Sequence, residues 1–313
     1  MMKPKVSVIG AGQVGATVAQ RVVEENVAEV MLADIIEGMP QGKALDLNEA
    51  SPLKGHDAFV SGTNDYAGIA GSDIVVVTAG IARKPGMTRM DLLKTNANII
   101  KGVSEKIAQY APNAIVIVVT NPLDVMTSLT HQVTRFPKSR VVGMAGVLDS
   151  ARFRYFVAEK LKVSPKSVEA MVLGGHGDDM VPLPRFSKVS GKPLTDLLRQ
   201  EEIETLIART RNGGAEIVAL LKAGSAYYAP GASSAEMVKA VLRDEKKLLP
   251  ACALLEGEYG MSDVFCGVPC RLGRKGILEI VELELTGAEK TALAKSAASV
   301  RQGVQELSTV LSS

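Results

Sequence analysis

The chain has 313 residues, enough for one large or two medium domains with a substantial buried core. Its 36 Lys and Arg against 34 Asp and Glu leave a net charge of +2, and it has no Trp, six Phe and six Tyr. That balance removes the electrostatic basis for binding nucleic acid or an anionic membrane, and the few aromatics leave no stacking platform for bases. Hydrophobic residues make up 46%, without a like-charge run or low-complexity stretch, so the chain is expected to fold.

The opening MMKPKVSVIGAG runs straight into a strand-like segment, with neither the apolar core nor the small-residue cleavage site of a signal peptide. Nothing reaches the roughly 18 uninterrupted apolar residues of a membrane helix. Cys252, Cys266 and Cys270 are odd in number and lack C-x-x-C spacing, which predicts buried or half-buried thiols in a reducing compartment and neither disulfides nor a zinc site. A cytoplasmic protein is expected.

In chain order, strands are predicted at 5–10, 29–34, 57–62, 73–80, 114–122 and 140–146. Several are continuous apolar runs, such as DIVVVTAG and AIVIVVT, the pattern of strands buried on both faces of a parallel sheet. Helical patterns fall between them at 14–26, about 37–50, about 89–110 and about 122–136. This alternation predicts an α/β fold, a doubly wound parallel Rossmann sheet over residues 1–145. A mixed α+β domain is expected over 146–313: a helix at 150–161, strands at 168–175 and 180–189, helices at 200–223 and 233–243, strands at 248–256, 263–272 and 276–283, and a closing amphipathic helix starting at Thr286 or Gly287. No Gly-, Pro- or Ser-rich linker separates the halves, so they are expected to pack tightly.

The first strand ends in Gly10-Ala11-Gly12-Gln13-Val14-Gly15 and opens a helix. Such glycines allow a tight turn and let a pyrophosphate approach the backbone, where the helix N-terminus stabilises its charge. A packing turn without nucleotide is the alternative. Asp34 ends the second strand, 19 residues after Gly15, where a carboxylate accepts hydrogen bonds from ribose hydroxyls and repels a 2′-phosphate. Ile35 and Ile36 follow it, with no arginine to hold such a phosphate, so NAD is expected over NADP. The reaction lies elsewhere: Tyr155 is followed by Lys160, not by the Lys at plus four of short-chain reductases, and no Cys/His set has zinc spacing.

Three segments supply candidates. Ile81 to Arg89 and Thr120-Asn121-Pro122 follow predicted parallel strands, at the carboxyl ends where such sheets bind ligands. Asp149 and Arg152, three apart, share a helix face in GVLDSARFR. A capping carboxylate beside a solvated arginine is the plain alternative for that pair. To these three VLGGHGDDMVPL adds His176, one of three histidines. His56 lies in a polar loop and His131 in a helix, neither with a charged partner at a telling spacing.

Together GAGQVG, Asp34, TAGIARKPGMTRMDLL with Asn96, VTNPLDV, GMAGVLDSARFR, GGHGDDMVPL and GSAYYAPGAS resemble the lactate/malate dehydrogenase family, most closely its lactate-dehydrogenase-like malate branch. The resemblance covers nearly the whole chain, in the family's order, without departure at the positions that carry chemistry. It implies that His176 is the acid–base group and Asp149 its hydrogen-bonded carboxylate. It implies that Arg152 grips the substrate C1 carboxylate by two parallel bonds and that Arg89 polarises the reacting carbonyl. Asn121 would touch both cofactor and substrate, before a cis Pro122; Ala11, Gln13, Val14, Asn96 and Val119 would join the glycines around the cofactor. Arg83 matches the position where malate enzymes carry arginine and lactate enzymes glutamine, and would pair with the second carboxylate of oxaloacetate. The segment 80–91, with Gly80 and Pro85-Gly86, suits a loop that closes over substrate and expels water. The expected activity is reversible NAD-dependent oxidation of (S)-malate to oxaloacetate, by family analogy within the citric acid cycle, in a homodimer or homotetramer. A lactate or other 2-hydroxy-acid dehydrogenase, and a catalytically silent NAD-binding protein on the same fold, are the alternatives.

Overall fold

The computed structural model describes residues 3–81, 88–222 and 224–312. The first half runs β1 (Lys5–Ile9), α1 (Gln13–Glu24), β2 (Glu29–Ala33), α2 (Met39–Glu49), α3 (Ser51–Lys54), β3 (Val60–Thr63), β4 (Ile74–Val77), α4 (Arg89–Tyr110), β5 (Ile115–Val118), α5 (Leu123–Thr134) and β6 (Val141–Gly143). The second half runs α6 (Gly146–Leu161), β7 (Val168–Glu169), β8 (Val172–Leu173), β9 (Val181–Pro182), β10 (Lys188–Val189), β11 (Lys192–Pro193), α7 (Gln200–Leu221), α8 (Tyr228–Leu242), β12 (Lys247–Glu256), β13 (Ser262–Gly273), β14 (Gly276–Ile280) and α9 (Gly287–Ser312).

The parallel strands lie in the order β3-β2-β1-β4-β5-β6, so the winding reverses between β1 and β4. Ligands of open α/β sheets sit outside the carboxyl ends of the strands at such a switch point. β4 and β5 are buried along their whole length, as their unbroken apolar runs predict. The last three strands do not form a separate sheet. β12 joins β6 antiparallel through Cys252 opposite Gly143, and β13 and β14 continue outward, giving one nine-stranded sheet among the described residues. Gly143 permits that seam, because a Cβ there would lie 2.8 Å from the Cβ of Cys252.

Several boundaries differ from the sequence reading for local reasons. The strands expected to reach Gly80 and Pro122 stop at Val77 and Val118. Beyond them Thr78 Oγ1 donates to the Gly10 carbonyl at 2.8 Å and Thr120 Oγ1 to the Ala79 carbonyl at 2.6 Å, tying both tails to neighbouring main chain through side chains. The expected strand at 57–62 starts only at Val60; ahead of it the Ala58 carbonyl is bonded to the His56 ring at 3.0 Å instead of to a neighbouring strand. The helix over 37–50 breaks before Ser51, where Pro52 cannot continue the ladder. α8 begins at Tyr228, ahead of the expected 233, with Pro230 in the first turn where its missing N–H costs no bond. The expected strands at 168–175 and 180–189 reduce to two-residue pairings around turns.

One apolar cluster runs through both halves, from Val6, Val76 and Ile117 of the parallel strands to Val238, Ala251, Val264 and Leu293. A second covers the other sheet face with Ile100, Ile107 and Met126, and a third packs α6 against α7 through Phe153, Val157 and Ile203. Each such side chain contributes about 1.5–3 kcal/mol on burial. Among the described residues no helix is long and apolar enough to cross a membrane, and no group of three His, Cys, Asp or Glu could hold a metal ion.

Candidate active site

The glycine turn is built by exclusion of side chains. Gly10 has φ +102°, and a Cβ there would lie 2.6 Å from the Ala79 nitrogen. A Cβ on Gly15 would lie 1.9 Å from the Gly10 carbonyl oxygen, so β1, α1 and the tail of β4 meet at a point only glycine fits. Gly12 is the N-cap of α1 and offers no side-chain cap; a Cβ there would meet nothing within 4 Å. The first turn of α1 therefore presents free N–H groups and its positive dipole end to an open cleft of about 700 Å³, walled by Gln13, Val14, Gly80, Val119, Asn121 and Ser225. Asp34, at the end of β2, accepts the N–H of Ala11 at 2.7 Å and that of Ile36 at 3.0 Å. This fixes a half-exposed carboxylate at the rim, with acceptor capacity left over. Ile35 and Ile36 beside it are 83% and 57% exposed.

Asn96 stands behind the wall. Fully buried, it accepts the Ile81 N–H at 2.8 Å and donates to the carbonyls of Asn121 at 2.8 Å and Ile81 at 3.2 Å. Its bearing on a ligand runs through those two segments. The Asn121–Pro122 peptide bond is cis.

A smaller cavity of about 300 Å³ adjoins the first, sharing Val14, Val119, Asn121 and Ser225, and is lined by Arg152, His176 and Arg211. α6 starts earlier than expected, at Gly146, which puts Asp149 in its first turn and Arg152 one turn on. His176 sits in the turn between β8 and β9, and its Nδ1 lies 2.9 Å from Asp149 Oδ2. Nδ1 thus carries the proton donated to the carboxylate, which leaves Nε2 for a ligand. The Arg152 guanidinium reaches the other Asp149 oxygen at 3.5 Å. Side-chain exposure is 15% for His176, 13% for Arg152 and 3% for Asp149, so the trio is largely desolvated. Burial works against a charged imidazole. The charge and hydrogen bond of Asp149, with the charge of Asp124, outweigh it and hold His176 above its ordinary value of 6.5. Burial moves Arg152 the other way, below its usual range.

Of the predicted site residues, Gly12, Gln13, Val14, Gly15, Val119, Asn121, Arg152 and His176 line one continuous cleft, with Asp149 buried behind His176 and Asp34 bonded to Ala11 of the glycine turn. Arg83 and most of the expected closing loop lie outside the described residues. Arg89 opens α4, and its side chain likewise lies outside them; the helix start is fixed by a capping box in which Thr88 and Asp91 exchange hydrogen bonds at 3.1 and 3.0 Å. The other two histidines stand apart, His56 buried behind its turn and His131 against Phe265. All three cysteines are buried and free.

The sequence reading missed Arg211 and the Gly213-Gly214 pair of α7. Arg211 donates to the Met180 carbonyl at 3.2 Å from the rim of the smaller cavity. Gly213 lets the stem of Arg152 lie against α7: a Cβ there would sit 3.2 Å from Arg152 Cδ. Two adjacent glycines inside a helix, each about 1 kcal/mol worse than alanine, were the available signal.

A cleft made by a helix N-terminus at one end and a carboxylate-braced imidazole at the other defines a dinucleotide-binding oxidoreductase. Family models agree: lactate/malate dehydrogenase NAD binding domain matches residues 4–143, and the lactate/malate dehydrogenase alpha/beta C-terminal domain matches 146–309. The chain belongs to the lactate/malate dehydrogenase family. It is 56% identical over 303 residues to a malate dehydrogenase of Methanosarcina barkeri, covering 97% of this chain and 99% of that one. The malate dehydrogenase structure from Salinibacter ruber superposes with a TM-score of 0.95 at 48% identity, covering 98% and 99% of the two chains. A lactate dehydrogenase from Cryptosporidium parvum, complexed with lactic acid and nicotinamide adenine dinucleotide, also reaches a TM-score of 0.95, at 43% identity and with 98% and 99% coverage. Backbone shape therefore does not separate malate from lactate chemistry.

Proposed function

We propose that the protein is an NAD-dependent malate dehydrogenase that interconverts (S)-malate and oxaloacetate, with residues 1–145 as the dinucleotide-binding domain and 146–313 as the catalytic domain that carries Asp149, Arg152 and His176. The observation that carries this is the His176 ring, braced from behind by Asp149, lining the cavity that Asn121 and Arg152 share with Val14 of the glycine turn. The open turn at Gly12, which a Cβ would not obstruct, fits a pyrophosphate at the start of α1. Asp34 would take the adenosine ribose hydroxyls, and its charge beside two exposed isoleucines supports NAD over NADP.

When bound, the nicotinamide supplies the hydride acceptor or donor at its C4, exchanged with C2 of the substrate. Arg152 would hold the C1 carboxylate, its stem seated on Gly213. In oxidation His176 Nε2 accepts the hydroxyl proton, and Asp149 stabilises the imidazolium that results. In reduction the charged ring returns that proton to the oxygen, so the two directions need opposite protonation states. Arg89 would stabilise the negative charge that develops on the reacting oxygen.

Arg83 selects the substrate. Its family match supports a guanidinium paired with the second carboxylate of oxaloacetate. Pyruvate would leave that charge facing a methyl group, at a cost of about 3–5 kcal/mol if buried. The reading is tested by following absorbance at 340 nm with oxaloacetate or pyruvate and either NADH or NADPH. Rapid loss with oxaloacetate and NADH, and much slower loss in the other three mixtures, is expected. Preference for pyruvate would assign the protein to lactate chemistry, and no loss in any mixture would leave it a binding protein.

A further inference from the structure

We propose that Asp124 is a positioning residue for His176, fixing the main chain of the histidine turn from behind while Asp149 fixes the ring. The inference rests on the reading of His176 as the proton-transfer group. Asp124 lies in the first turn of α5, a few residues after Asn121 of the cleft wall. It is 5% exposed, and its Oδ2 accepts the His176 N–H at 2.8 Å. Its Oδ1 is buried with no nitrogen or oxygen partner, and the Cys252 thiol is the other group beside the carboxyl. A carboxyl buried with so few hydrogen bonds costs stability, so packing alone gives no reason for an acid here.

The turn is shaped to receive this anchor. Gly174 and Gly267 exchange main-chain hydrogen bonds at 2.8 and 3.1 Å, tying the turn to β13. Gly175 donates its N–H to the buried Oγ of Ser296 on α9 at 2.8 Å. The next N–H, that of His176 itself, goes to Asp124. Three consecutive residues are thus held by three separate elements. A Cβ on Gly174 would lie 2.7 Å from Ser296 Oγ, and one on Gly175 would lie 3.3 Å from Asp124 Oδ2. With main chain and Nδ1 both fixed, the imidazole keeps Nε2 aimed into the cavity. The charged or titratable groups around the ring are Asp149 and Arg152 from α6 and Asp124 from α5, with the Cys252 thiol of β12 beside Asp124.

The test compares Asp124→Ala, Asp124→Asn and His176→Asn in the full chain, reading kcat and KM for oxaloacetate and the Kd of NADH by fluorescence. His176→Asn tests the underlying reading on its own: lost turnover with NADH binding retained sustains it, and near-normal turnover removes both that reading and this inference. Given that result, Asp124→Ala is expected to lower kcat about 10- to 100-fold, as a misplaced catalytic group does, with the NADH Kd within about twofold. Asp124→Asn, whose amide oxygen still accepts the N–H, is expected to recover most of the loss. If Asp124→Ala does not fold, Asp124→Ser serves instead, its hydroxyl being too short to reach the same N–H. A kcat within about twofold of the parent in the Ala or Ser variant, or an Asn variant as impaired as they are, overturns the proposal.

Discussion

The two ends of the cleft are made of different material. The end near Gly12 is backbone: a glycine turn, the free N–H groups of α1 and one carboxylate held by two main-chain donors. The end near His176 is side chain: an imidazole, a carboxylate and a guanidinium brought from two elements and braced by others. A backbone site binds a charge that is the same before and after reaction, so fixed dipoles serve it. The side-chain site must change its protonation during the reaction, so it needs groups whose affinity for a proton is tuned by their neighbours.

The sharpest way to break this contrast is His176→Asn, which should lower turnover by at least about a thousandfold by removing the general acid–base group. NADH affinity by fluorescence titration should stay near the parent value, because the other end is untouched. A parallel loss of both would mean that the two ends are not separable. Arg83→Gln should shift the oxaloacetate-to-pyruvate ratio of kcat/KM by about a hundredfold toward pyruvate, measured in steady state with NADH. An unchanged ratio would remove Arg83 from specificity.

Asp34→Ala probes the opposite end. Losing a charged acceptor should raise the KM for NADH about tenfold and narrow the preference over NADPH, with kcat at saturation little changed. The smallest effect is in pH. His176 titrates above 6.5, so oxaloacetate reduction should persist past that pH and fall as pH rises through the raised value, while malate oxidation rises over the same window. The same shift stabilises the fold: the contribution is fully present below 6.5 and is lost as pH rises through the folded value. Rate profiles in both directions, with thermal melts across that range, check both signs.

The same contrast governs how much could be read from the sequence. GAGQVG and Asp34 are legible because a backbone site is written in one contiguous strand–turn–helix, with a carboxylate at a fixed distance. The parallel strands were legible from unbroken apolar runs, and α4 and the final helix from their periodicity. Asp124 and Ser296 were not, since each looks like an ordinary polar residue on its own helix and gains meaning only where α5 and α9 meet the histidine turn. Nor does periodicity say that β12 will dock on β6, because a buried strand in a second domain has the same composition as one that extends the first sheet. Asp149, Arg152 and His176 became legible through family resemblance, and the fold then brought them within hydrogen-bonding distance across 27 residues of sequence.

The junction of β6 with β12, backed by an apolar cluster that continues from one half into the other, leaves no hinge between them. Halves that share a hydrophobic interior do not swing as separate bodies. The spacing between the glycine turn and His176 is therefore set when the chain folds, and substrate traffic falls to parts much smaller than a domain.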